Sequence, residues 1–151
     1  MAQYLSNELA GTTTGTTQAS AVAAGVRPSA SVYGARLKRL RATVTMASQT
    51  TSDTLLLGIL PAGATFAFGV LNTTATLGSA TLAVGVNGTA GKYRAAATFT
   101  SADTPTFFGL AAQAGAASPL AAEESVIGTI ATANLPASGT LVVDLYYSMP
   151  T

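Results

Sequence analysis

The sequence predicts an all-β protein: an antiparallel sandwich of about eight short strands, jelly-roll-like, behind an extended N-terminal arm. Three observations predict it. From residue 33 onward apolar and polar residues alternate with a period of two in one segment after another. Groups of Pro, Gly, Asn and Asp punctuate those segments every ~8–12 residues. The composition is dominated by Ala, Thr, Gly, Ser and Val, of which β-branched Thr and Val suit sheets. The chain divides into an arm, residues 1–32, and a body, residues 33–151.

Thr12 to Thr17, then Gln18 and a Ser/Ala/Gly stretch ending at Arg27-Pro28, hold neither a helical nor a strand period. The arm reads either as a disordered tail or as a segment ordered only on a partner. Tyr4, Leu5 and Leu9 favour the second, since a plain linker has no need of apolar anchors. In the body, Lys38, Leu40, Ala42, Val44 and Met46 alternate with Arg39, Arg41, Thr43 and Thr45. Gln49 to Thr54 turns, Leu55 to Leu60 is a short apolar strand, and Pro61-Ala62-Gly63 ends it. Phe66, Phe68 and Val70 then share a face, as do Leu82, Val84 and Val86.

Asn87-Gly88 opens a hairpin turn running to Gly91, and Tyr93, Ala95, Ala97 and Phe99 alternate after it. Asp103-Thr104-Pro105 precedes a short strand at Phe107 and Phe108. In the Ala-rich stretch from Leu110 to Ala122, Ser118-Pro119 is placed to cap one helical turn. Val126 to Ile130 is β again. Leu135-Pro136-Ala137-Ser138-Gly139 repeats the earlier Leu60-Pro61-Ala62-Gly63 turn chemistry and leads into the last strand. There Leu141, Val143, Leu145 and Tyr147 face one way, and Val142, Asp144 and Tyr146 the other. Eight strands in two sheets fit a jelly roll best, although strand order is not contained in the spacing.

Composition narrows function as sharply as it narrows fold. The 151 residues include no His, Cys or Trp and only six Asp/Glu against seven Lys/Arg. Histidine is the side chain that shuttles protons near neutrality, and Cys and His supply most zinc, copper and haem ligands. The expectation is therefore a structural or binding protein, not an enzyme, with no cofactor, metal or small-molecule substrate. Charged residues make up 9% of the chain, against ~25% in ordinary soluble domains, which suits a surface occupied in an assembly. Much of the 48% hydrophobic content is alanine, so the core is expected to be thin and supplemented by burial between subunits. No long apolar run or signal-peptide pattern is present, so no membrane association is expected.

The motifs tested for chemistry fail. Gly85 to Lys92 imitates a phosphate-binding loop, but the spacing is too long, Tyr93 replaces Ser/Thr, and β residues follow. Glu123 and Glu124 are adjacent and diverge on a strand, so they make no glycosidase pair. Asp53 and Asp103 sit in turns, where bonding local amides is the usual role. Four of the seven basic residues, Arg36, Lys38, Arg39 and Arg41, cluster on one strand with Arg27 upstream. This cluster reads either as a charge-protected edge strand or as a dock for an acidic protein surface. A net charge of +1 without a stacking motif argues against nucleic acid. Lys92 and Arg94 would extend the patch if their strand paired with it. Tyr146 is expected to be exposed and Tyr147 to lie in the core.

The segments Val26 to Arg39, Gly91 to Phe99 and Gly139 to Tyr147 resemble small virion proteins of tailed bacteriophages, over roughly residues 26–148. The resemblance implies a capsid decoration, or cement, protein: a β-rich homotrimer on the outer surface of the capsid, made in the host cytoplasm and bridging subunits of the major capsid protein. Tyr4, Leu5, Leu9, Arg27, Arg36, Lys38, Arg39 and Arg41 are the partner-binding candidates. Two alternatives stand beside it: a receptor- or glycan-binding head fibre or tail module, using Tyr93, Tyr146 and Tyr147, and a neck or tail-tube component.

Overall fold

The computed structural model describes residues 35–114 and 119–149. The predicted arm, with Tyr4, Leu5, Leu9 and Arg27, lies outside them, as does Ser118. The strands are β1 (Arg36–Thr45), β2 (Thr54–Leu60), β3 (Thr65–Thr73), β4 (Thr81–Val86), β5 (Thr89–Thr98), β6 (Thr106–Phe108), β7 (Glu124–Ala131) and β8 (Thr140–Met149). One helical turn, α1 (Ala111–Ala114), interrupts them.

The strands form two four-stranded antiparallel sheets, β1-β8-β3-β6 and β2-β7-β4-β5, giving the expected sandwich. Pairing is nested: β1 with β8, β2 with β7, β3 with β6, and β4 with β5. The pairs β3–β8 and β4–β7 then join these ribbons side by side. Every connection crosses between sheets except the β4–β5 hairpin.

The core lies between the sheets because each strand turns its alternate apolar residues inward. Leu141, Val143 and Leu145 of β8 are fully buried against Leu71 of β3, Leu82 and Val84 of β4, and Val126 and Ile130 of β7. Leu40, Ala42 and Val44 of β1 pack at its margin, as their alternation predicts. At Gly58, whose φ of +151° favours glycine, an added Cβ would fall 2.3 Å from a methyl carbon of Leu40 and push that side chain off the β1–β2 contact.

Four local expectations change. The turn after β4 is just Asn87-Gly88, with Gly88 at a φ of +82°, and Thr89 already pairs with Val86. The extra residues are absorbed by an irregularity within β5, where Val84 pairs with Arg94. Beyond it Ala95, Ala96 and Ala97 are all exposed, so the alternation from Tyr93 to Phe99 does not hold. The helical turn starts at Ala111, earlier than Ser118-Pro119, because the Leu110 carbonyl accepts from the amides of Gln113 and Ala114, each at 2.9 Å. Finally, Phe66 and Phe68 do not share a face. A bulge shifts the β3–β8 register between them, so Phe66 is buried while Phe68 pairs opposite Tyr146 on the outside.

Asp53 serves its turn as expected, accepting from the Thr50 amide at 2.7 Å and the Thr50 hydroxyl at 3.0 Å. Asp103 instead takes a left-handed φ of 55° while its amide donates to the Thr73 carbonyl at 2.8 Å. The Thr73 hydroxyl is buried and has no protein partner. A buried hydroxyl without a hydrogen bond costs ~1–3 kcal/mol. Thr73→Val keeps the shape and the β-branching, so it is expected to raise stability by about 1 kcal/mol. Urea unfolding checks this: the midpoint should rise with an unchanged slope.

Candidate functional site

The outer face of the first sheet gathers the charged and aromatic side chains that could engage a partner. Its centre is set by β8, which is hydrogen-bonded on both sides, by β1 and by β3. The inward run of Leu141, Val143, Leu145 and Tyr147 obliges Val142, Asp144 and Tyr146 to face outward. In register, Asp144 lies opposite Arg41 of β1 and Val70 of β3, and Tyr146 lies opposite Arg39 and Phe68.

Asp144 is held there by arginine. Arg41 binds it with both arms of its fork, Nε to Oδ1 at 2.8 Å and a terminal nitrogen to Oδ2 at 2.7 Å. Arg39 Nε adds a looser contact of 3.5 Å. The Asp144 side chain is 8% exposed, whereas those of Arg39 and Arg41 are 47% and 50% exposed. Hydrogen bonds from Arg41 hold the Asp144 carboxyl below its ordinary value; burial opposes this, and the charges of Arg41 and Arg39 reinforce it. Two guanidiniums thus share one carboxylate, and Arg39 keeps most of its donor capacity.

Beside this cluster runs an aromatic row. Phe68 stacks on Tyr146 with ring centroids 4.6 Å apart, and Phe107 of β6 tilts against Phe68 at 5.7 Å. Phe107 is 73% exposed. Its orientation follows from its neighbour: the ring of Phe108 turns inward across Gly69, where an added Cβ would lie 2.1 Å from a ring carbon. Alternation then sends Phe107 outward. Between the row and the arginines lies a concavity of about 300 Å³, bordered by Arg39, Val70, Asn72, Pro105 and Asp144.

The remaining basic residues are dispersed. Arg36 and Lys38 are exposed at the start of β1, and the Lys38 ammonium lies 3.9 Å from Met149 Sδ. Lys92 and Arg94 belong to β5 in the other sheet, so they do not extend the patch. Lys92 instead bridges Glu124 of β7 at 2.5 and 2.7 Å, and the buried Tyr93 hydroxyl donates to the same carboxylate at 2.7 Å. Burial raises Glu124, but hydrogen bonds from Lys92 and Tyr93 and the Lys92 charge outweigh it and leave the carboxyl lowered. Burial first, then Glu124, drives the Tyr93 phenol well above its ordinary range. Arg94 folds back on its own sheet, donating to the carbonyls of Leu82, Ala97 and Thr98. Both groups brace the second sheet.

The structure therefore splits the predicted basic cluster. Arg39 and Arg41 sit with Asp144, Arg36 and Lys38 stand apart, and Arg27, Tyr4, Leu5 and Leu9 fall outside the described residues. Sequence reasoning missed Asp144, Phe68 and Phe107 as site residues. For Asp144 the available signal was its place as the lone charge in the outward set of an otherwise apolar final strand.

The same architecture occurs in solved phage particles. The chain is similar to one in the capsid asymmetric unit of cyanophage Pam1, with a TM-score of 0.61 at 22% identity over 78% of this chain and 88% of that one. It is similar to a chain in the capsid of Ralstonia phage GP4, with a TM-score of 0.57 at 21% identity over 78% and 85%. A chain in the acid-stable capsid of Helicobacter pylori bacteriophage KHP30 gives 0.56 at 14% identity over 76% and 89%. These likenesses establish a shared fold. No family model matches the chain, and no curated protein matches it by sequence.

The Asp144 clamp makes stability depend on acid. Its carboxyl is lowered from an ordinary value of 3.8, so the contribution is complete above that pH and drains away as pH falls through the lower folded value. Glu124 adds a second loss of the same sign in the same acid range. Asp144→Asn is expected to lower stability at pH 7 by about 1 kcal/mol, the discounted value of a partly exposed pair. It should also flatten the stability profile below pH ~4. Urea unfolding at a series of pH values checks both.

Proposed function

We propose that this chain is a virion structural protein that decorates a phage head. It binds the outer surface of the capsid as a homotrimer and straps neighbouring major capsid subunits together. The observation that carries the reading is the sandwich shared with chains of three phage capsids over 76–78% of this sequence. The nested pairing of β1 with β8 through β4 with β5 fits the jelly-roll form of that sandwich. The chemistry agrees: a chain without His or Cys and with 9% charged residues is equipped to adhere.

In this reading the body supplies basic contacts and the arm apolar ones. Arg36 and Lys38, which have no carboxylate within ion-pair distance among the described residues, meet acidic groups on the shell together with Arg27. Arg39 keeps an open edge for a partner, while Arg41 is engaged by Asp144 and keeps the strand pair in register. The arm adds reach, with Tyr4, Leu5 and Leu9 as apolar anchors. Contacts that are weak singly become strong when repeated around a trimer on one shell.

The receptor-binding alternative loses most of its proposed groove. Tyr93 is buried and Tyr147 packs on the core, which leaves Tyr146 alone on the surface. A neck or tail-tube role separates from decoration by mass, since such components form larger rings.

Purified protein added to heads lacking it, with occupancy read by sedimentation and gel, tests the proposal. Saturable uptake is expected, and no uptake would refute it. Removing residues 1–25 should leave the body folded and reduce occupancy sharply; unchanged occupancy would strip the arm of its role. Arg36→Glu with Lys38→Glu should weaken uptake more at low salt than at high salt. An equal loss at both would remove charge from the account.

A further inference from the structure

We infer that the outer face of the first sheet receives the N-terminal segment, residues 3–9, of a neighbouring copy of this chain. The inference rests on the reading that the arm is an adhesive element, and it names the arm's partner. Three observations carry it. The face is incomplete: Phe107 stands 73% exposed at the end of an aromatic row, and Arg39 holds only a 3.5 Å share of a carboxylate that Arg41 already occupies. Full burial of a side chain like Phe107 yields ~1.5–3 kcal/mol, a gain the described residues leave unrealised.

The segment is complementary. Gln3-Tyr4-Leu5-Ser6-Asn7-Glu8-Leu9 holds the arm's large apolar anchors together with its only acidic residue, Glu8. Tyr4, Leu5 and Leu9 suit the row of Phe107, Phe68 and Tyr146, and the Glu8 carboxylate suits the open edge of Arg39. Elsewhere Asp144 and Glu124 are engaged and Asp53 and Asp103 sit in turns, so among the described residues Glu123, just before β7 of the second sheet, is the other open acid.

Reach allows a neighbour's face as well as the chain's own, and the homotrimer of the proposed function sets a neighbour within it. Arg39 lies about 10 Å along β1 from Arg36, where the arm joins the body. The roughly 26 residues between Leu9 and Arg36 can extend to ~90 Å, far more than a return to the same face needs and enough to cross to an adjacent copy. An arm passed from copy to copy closes a ring, which gives a homotrimer a mechanical linkage.

The absence of cysteine from the chain makes the test clean. Full-length Leu9→Cys is mixed with full-length Phe107→Cys carrying a size tag, and disulfide formation under mild oxidant is followed on non-reducing gels. The mixed dimer should form about tenfold faster than with tagged Leu56→Cys, which presents a thiol at another exposed site, on the second sheet. Adding Glu8→Arg to the Leu9→Cys chain should slow the reaction by a similar factor. Rates equal to the Leu56 control would overturn the inference. So would a chain carrying both Leu9→Cys and Phe107→Cys that closes only on itself. Head uptake without this cross-link would refute the arm exchange alone, whereas the cross-link without head uptake would refute decoration and leave the exchange standing.

Discussion

The carboxylate of Asp144 is the constraint on which the first sheet turns. It stands at the middle of β8, the strand that binds both β1 and β3, and its side chain is almost wholly covered. A charge so placed is tolerated only when paired and hydrogen-bonded, and Arg41 meets that need with two short bonds. The pairing fixes β1 against β8 in one register, because a slip by one residue would send Arg41 inward and Leu40 into solvent. Everything presented on the outer face inherits that register, including Arg39, Tyr146 and, through β3, Phe68.

Around this fixed face the molecule separates two tasks. The second sheet satisfies its own charges: Lys92, Glu124 and Tyr93 close on one another, and Arg94 serves nearby carbonyls. The first sheet leaves charge and aromatic surface open. The asymmetry is one of charge, since Leu56 and Ile59 of β2 leave apolar surface open on the second sheet as well. Buried, mutually satisfied polar groups rigidify, whereas unsatisfied exposed ones remain available for partners.

Most of the fold was legible in the sequence because the body's strongest patterns are local. The alternations of β1 and β8 assigned Leu40, Val44, Leu141, Val143 and Leu145 to the core, and the structure places them in it or against it. What the sequence hid is non-local. The bulge that separates Phe66 from Phe68 exists only relative to β8, and the assignment of Lys92 and Arg94 to the second sheet depends on strand order. The clamp joins residues 103 positions apart, so Arg41 and Asp144 meet only once the register is known. The sequence places the hairpin turn at Asn87-Gly88 but extends it to Gly91, because the bulging of β5 resembles turn composition.

Comparing the thermal disruption of phage heads assembled with and without this protein bears most directly on the central claim, that the chain acts by adhering to a larger particle and holding it together. The account predicts that heads carrying the protein release their contents at a higher temperature, and that adding purified protein back to bare heads restores the difference. Identical disruption temperatures with the protein bound at full occupancy would contradict it.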